Sequence, residues 1–157
     1  MKPIQKWLDE YGESHQNPLN KKIHWVCVPA IMFSIIGLFW SIPHHYMPTL
    51  YDNIQLNWAM IITIIILTFY VRLSLMMALG MFVIGVFILF CNLLIENYFV
   101  TPLWRISLYI FVIAWIGQFI GHKIEGKKPS FFQDLQFLLI GPAWLLSFVY
   151  NKIGIKY

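Results

Sequence analysis

Long apolar runs separated by short polar breaks organise this chain. Ile23 to Ile42 carries no charge, is interrupted only by Pro29, and stops at Pro43-His-His-Tyr-Met-Pro48. A second run, Leu56 to Val71, is shorter and rich in isoleucine, and Arg72 closes it. Leu73 to Ile95 has no charge at all, with Glu96 and Asn97 at its end. Leu103 to Gly121 holds only Arg105, close enough to its start to snorkel outward. Leu135 to Tyr150 is broken by Gly141-Pro142. A helix needs about 20 apolar residues to cross about 30 Å of hydrocarbon. The first, third and fourth runs meet that length; the second and fifth are marginal. Runs two and three as one helix would extend about 60 Å, twice the bilayer, so a tight hairpin is predicted at Arg72 to Ser74. The pattern predicts an all-α, integral membrane helical bundle of five spans, near residues 23–42, 56–71, 73–95, 103–121 and 135–150. The fifth either crosses or is re-entrant at Pro142.

The first 22 residues follow a different pattern. Ile4, Trp7, Leu8 and Tyr11 recur at i, i+3, i+4 and i+7, with Lys6, Asp9, Glu10 and Glu13 elsewhere on the wheel. This predicts an interfacial helix lying on the membrane with Trp7 as its anchor. Gly12 and Pro18 break it, which places His15 in a turn. Farther on, Ser130 with Gln133 resembles a capping box at the start of span five, and Asp134 suits the first turn through the helix dipole.

Composition agrees with a membrane protein in a single domain, 1–157. Of the 157 residues 59% are hydrophobic and 11% charged, against about 25% charged in ordinary soluble domains. The formal net charge of +4 comes without any basic run interleaved with aromatics, so nucleic acid is not an expected partner. The first apolar run follows a polar stretch with Asp9, Glu10 and Glu13, which does not read as a secretory signal peptide. Cys27 and Cys91 lie inside apolar runs and are expected as thiols.

Counting crossings brings distant histidines to one side. Four crossings separate His24 from His122, an even number, so both are expected at the same membrane surface. Lys2, Lys6, Lys21, Lys22, Arg72, Lys123, Lys127 and Lys128 fall on that side, against Arg105 on the other, joined by Lys152 and Lys156 if the fifth run crosses. The positive-inside rule makes the histidine side cytoplasmic, which means the inner membrane of a bacterium or the endoplasmic reticulum of a eukaryote. His44 and His45 are expected on the far side, about 30 Å away, in an interfacial loop.

His15, His24 and His122 are therefore candidate metal ligands, imidazole being the commonest ligand for a transition metal. Gln118, His122 and Glu125 share one helix face by spacing, so Glu125 is a candidate ligand or an orienting partner. Asn17, Asn20 and Gln118 could fix imidazole tautomers or bind a substrate carboxylate. Imidazoles with at most one carboxylate suit iron or zinc, and two histidines with one carboxylate would match the non-haem Fe(II) oxygenase triad. No His-Glu-x-x-His helix, nucleophile elbow, phosphate-binding glycine loop or Cys-x-x-Cys occurs. On the residues alone a zinc-dependent lipid hydrolase and a non-enzymatic membrane scaffold or transporter stay open beside an iron oxygenase. A many-histidine di-iron site is excluded by count.

Two stretches carry a resemblance. Tyr11-x₃-His15-x-Asn17-Pro-x-Asn20-x₃-His24-x₄-Pro29, followed by Trp115-Ile-Gly-Gln118-Phe-Ile-Gly-His122-x₂-Glu125-Gly-Lys-Lys-Pro129, resembles the paired signatures of the Mpo1-like family, also called DUF962. Gly141-Pro142 fits its proline-containing last hydrophobic stretch, so the resemblance runs end to end. The chain departs from the family in reading Lys127-Lys128-Pro129-Ser130 where relatives often have a basic residue followed by Pro-Ala. The resemblance implies a membrane-bound, Fe(II)-dependent dioxygenase with O₂ as co-substrate, shortening 2-hydroxy fatty acids by one carbon in α-oxidation. By position it makes His15, His24 and His122 the iron ligands, with Glu125 a candidate fourth. A 2-hydroxy acid offers hydroxyl and carboxylate oxygens for chelation, and Lys123, Lys127 or Lys128 could attract its carboxylate.

Overall fold

The computed structural model describes residues 3–51, 54–126 and 131–157, the side chains of 131–136 excepted. Six helices follow in order: α1 (Ile4–Glu13), α2 (Pro18–Trp40), α3 (Trp58–Leu73), α4 (Leu75–Tyr98), α5 (Leu103–Glu125) and α6 (Phe131–Ile153). An antiparallel hairpin of an exposed β1 (Thr49–Tyr51) and a half-buried β2 (Ile54–Gln55) joins α2 to α3 and was not anticipated. Local chemistry sets the helix ends. Asn17 caps α2, its Oδ1 accepting from Leu19 N at 2.9 Å, and Pro18 supplies the pre-set φ of the first turn. Asn57 caps α3 through Met60 N at 3.1 Å. Ser74 alone, in extended conformation, ends α3 and caps α4, so the predicted hairpin at Arg72 to Ser74 reduces to one residue. Gly126, at φ 74°, closes α5 in the left-handed conformation.

The five-span bundle is not what forms. Among the described residues, three helices are long and apolar enough to cross a membrane: α2, α4 and α5. The α3 helix has 16 residues, about 24 Å at 1.5 Å per residue, short of about 30 Å of hydrocarbon. The described apolar part of α6 is 137–153. One face of it packs within the protein: Ile140, Ala143, Trp144, Leu145 and Tyr150 are buried against other helices, while Phe148, Val149 and Ile153 stay exposed. An apolar run marks burial, and burial under protein reads the same in sequence as burial in lipid.

Two apolar clusters define the ends of the bundle. One gathers Ile4, Leu8 and Tyr11 of α1 with Tyr70, Met77, Met81 and the buried residues of α6. The other gathers Ile36 and Trp40 with Ala59, Ile88 and Leu103. The α3 helix runs from the second cluster to the first and returns the chain despite its length. All the buried apolar residues of α6 join the first cluster, whose packing is tied by Tyr70 OH donating to Leu139 O and Tyr150 OH donating to Met76 O at 2.8 Å. So α6 covers one end of the bundle. The α1 helix forms as expected, but Ile4, Leu8 and Tyr11 are buried against α6, so this face meets protein and not the membrane surface.

The α2–α5 pair packs closely, and glycine permits it. A Cβ on Gly117 would lie 2.6 Å from Cys27 Sγ, and one on Gly121 would overlap Asn20 Oδ1. Gly117-x₃-Gly121 is a small-residue stripe of the kind that lets membrane helices approach closely. Cys27 and Cys91 are free thiols. The expected capping box at Ser130 and Gln133, the role of Asp134, and Lys2, Lys127 and Lys128 lie outside the described residues and side chains.

Candidate metal centre

The close α2–α5 approach delivers the histidines. His24 sits in the second turn of α2, His122 in the last turn of α5, and His15 in the turn between α1 and α2. One nitrogen from each falls in a group whose members lie within 4.8 Å of one another. Ring centroids are 4.2 Å apart for His15 and His24, 5.2 Å for His24 and His122, and 5.6 Å for His15 and His122. His15 and His24 are buried and His122 is half-buried. His44 and His45 are not in the group and lie in the loop after α2.

The tautomers follow from the backbone. His15 Nδ1 lies 2.6 Å from Tyr11 O, and His24 Nδ1 lies 3.0 Å from Asn20 O, each the carbonyl four residues earlier. A carbonyl only accepts, so both rings carry their proton on Nδ1. Both Nε2 atoms then present lone pairs, and these face each other at 2.9 Å. Two lone pairs at that distance repel unless a cation is shared between them. A proton is a poor candidate, because burial pushes the His15 imidazole down to about 4, against the pull of its Tyr11 hydrogen bond. A metal ion would resolve the conflict, since imidazole nitrogens that present lone pairs are its ordinary ligands and His122 adds a third beside them.

The depressed His15 value makes a stability prediction for metal-free protein. The unfolded imidazole titrates near 6.5 and the folded one near 4, so the unfolded state holds more protons in between. Stability is full above about pH 6.5 and falls as the pH drops toward 4, by up to about 1.4 kcal/mol per pH unit for one group. Chelator-treated protein is expected to melt at progressively lower temperature from pH 7 to pH 5. A flat profile across that window would contradict the buried, neutral imidazole.

Glu125 faces the start of α2. It is not among the converging atoms. Its Oε1 accepts from Gln16 N at 2.7 Å, and its Oε2 accepts from Asn17 N at 3.0 Å and Asn20 Nδ2 at 2.9 Å. The carboxylate thus ties the end of α5 to the first turn of α2, where helix amides favour an anion. Asn17 is occupied as the α2 cap, and Asn20, fully buried, links Glu125 to the α2–α5 contact. Gln118 is buried one turn before His122, and Lys123 is exposed beside it.

Aromatic rings hold His15 from the other side, and these the spacing argument missed. Tyr11 stacks on His15 at 4.1 Å and 12°, and Trp144 of α6 lies 5.4 Å away. Gly141 makes room for Tyr11, whose hydroxyl would be 3.0 Å from a Cβ there. Tyr11 stands in the first signature, which gave it no role; Trp144 had no signal beyond being an aromatic two residues after Pro142.

A family profile described as 2-hydroxy-palmitic acid dioxygenase Mpo1-like matches residues 1–153. The chain is similar to the 2-hydroxy-palmitic acid dioxygenase MPO1 of Saccharomyces cerevisiae, 29% identical over 153 residues, which cover 96% of this chain and 82% of the relative. No solved structure matches it.

Proposed function

We propose that this chain, which belongs to the Mpo1-like family, is a membrane-embedded Fe(II) dioxygenase that shortens a 2-hydroxy fatty acid by one carbon, with His15, His24 and His122 as the metal ligands. The observation that carries the metal is the convergence of the three imidazoles, with His15 Nε2 and His24 Nε2 2.9 Å apart. The identity of the metal and the reaction rest on the family and on the relative's name. When bound, Fe(II) would supply O₂ activation and a chelating centre for the hydroxyl and carboxylate of the acid.

The protein's own residues do the positioning. Tyr11 O and Asn20 O fix the two tautomers, and the Tyr11 ring fixes the tilt of His15. Glu125 holds the His15 turn against the helix that bears His122. Half-burial of His122 leaves the cluster open on one side, beside Lys123, where an anionic head group would be attracted. Lys6, Lys21, Lys22 and Lys123 at this end favour a cytoplasmic orientation.

The test is anaerobic loading of purified protein with Fe(II), followed by O₂ and 2-hydroxypalmitate. An acid one carbon shorter is expected, dependent on both iron and O₂. Absence of that product with iron confirmed bound would reject the substrate. Stoichiometric zinc with turnover independent of O₂ would reject the oxygenase.

A further inference from the structure

An acyl chain that lies among the helices while its head group reaches the histidines needs a seam that admits it. The α2–α5 seam is closed. A Cβ at Gly117 would lie 2.6 Å from Cys27 Sγ, and one at Gly37 or Gly121 would overlap Ser107 Oγ or Asn20 Oδ1. A seam with no room for a methyl group has none for a chain of methylenes.

The α2–α6 seam differs. Trp25, next to His24 on α2, is 44% exposed, and Phe148 on α6 is 41% exposed. Their rings lie 6.2 Å apart. Phe148 meets Trp144, one turn earlier on α6, edge-on at 4.7 Å. Trp144 is only 5% exposed and sits 5.4 Å from His15. A line of three rings thus runs from the outer surface to the buried imidazole. Its outer end is apolar and uncovered, and its inner end adjoins the candidate ligands. An aromatic surface continuous with a polar centre suits a molecule with a saturated chain at one end and chelating oxygens at the other.

We propose that the seam between α2 and α6 is the acyl-chain site of this protein, with Trp25 and Phe148 holding the chain at the bilayer side and Trp144 directing its head end toward the histidines. The proposal rests on the reading of the substrate as a long-chain 2-hydroxy acid. Trp25 and Phe148 set chain-length preference because they contact methylenes beyond the first few, which a four-carbon acid lacks. Loss of contact with a buried methylene is worth up to about fourfold each.

Two measurements test it. In the first, kcat/KM is compared for 2-hydroxy acids of four and sixteen carbons in the wild type and in Trp25→Ala with Phe148→Ala. A drop of about tenfold or more is expected for the long acid, with less than about twofold for the short one. Equal effects on both would overturn the proposal while leaving the dioxygenase reading intact. In the second, metal-free wild type is titrated with a 2-hydroxy acid brominated in mid-chain, which quenches nearby tryptophan fluorescence. Quenching is expected, and most of it should vanish in Trp25→Phe. Quenching unaltered in Trp25→Phe, or absent altogether, would overturn the seam. This second readout needs no turnover, so it judges the seam even if the proposed reaction fails.

Discussion

Replacing His24 by alanine is expected to abolish metal binding and to lower turnover of a 2-hydroxy acid by at least about 10³-fold. Changing the partners that merely orient a ligand typically costs about 10–100-fold in metal affinity or activity, and His24 offers the nitrogen itself. Its ring is fully buried, its Nδ1 is held by Asn20 O, and its Nε2 faces His15 Nε2 at 2.9 Å. A bound ion stabilises the fold in proportion to its occupancy, by about 2.7 kcal/mol at a hundredfold excess over Kd. Metal is therefore expected to raise the melting temperature of the wild type and to leave that of His24→Ala unmoved. The metal-free variant should lose less stability than an ordinary buried truncation of about 2–5 kcal/mol, because the substitution also relieves two opposed lone pairs. His44→Ala, in the loop after α2 and outside the cluster, should keep full metal content. Elemental analysis and thermal melts of the three proteins decide the matter. A His24→Ala protein with wild-type metal stoichiometry would end the three-histidine assignment.

The helices were legible as apolar runs, but the chemistry at their ends was not read: Asn17 with Pro18 starts α2 five residues before the first run, and the glycine at 126 ends α5 four residues after the fourth. What apolar runs could not distinguish was lipid from protein as the burying medium. The α6 run looked like a marginal span, yet its buried face lies against α1 and the ends of α3 and α4. With three long apolar helices among the described residues, one of the four passes between His24 and His122 is the shorter α3. The histidines still meet, because α3 carries the chain back between the two clusters and α2 packs directly on α5. At the site, local spacing suggested that His122 and Glu125 act together, but not that Glu125 turns to the amides of Gln16 and Asn17, more than a hundred residues away in sequence. That pairing belongs to the three-dimensional fold. The signal that could have been read is Gly117-x₃-Gly121, which announces a close helix contact beside His122. Trp144 carried no comparable signal, since an aromatic in an apolar run is ordinary core.

Gly121→Ala is expected to lower metal affinity by about 10–100-fold, although the substitution is one that helices normally welcome. In an open helix interior, alanine is more stable than glycine by roughly 0.5–1 kcal/mol. At position 121 the new methyl would overlap Asn20 Oδ1 and stand 3.4 Å from His24 Cε1. Asn20 has little freedom to yield: it is fully buried and its Nδ2 is held by Glu125 Oε2 at 2.9 Å. If α5 backs away, it takes His122, the next residue, out of reach of the other two rings. If Asn20 rotates instead, it releases Glu125, and with it the turn that aims His15. Both responses spread the three nitrogens, and overpacking of this kind costs about 1–3 kcal/mol. Gly126→Ala provides the contrast. Its φ of 74° makes alanine strained, by about 1–2 kcal/mol, but a Cβ there meets nothing within 4 Å. The two variants should lose similar stability, and Gly121→Ala alone should lose metal. Titrating Co(II) into each and following its visible absorption separates them. A Gly121→Ala protein that is stabilised and binds Co(II) like the wild type would show that the α2–α5 contact does not hold the centre together.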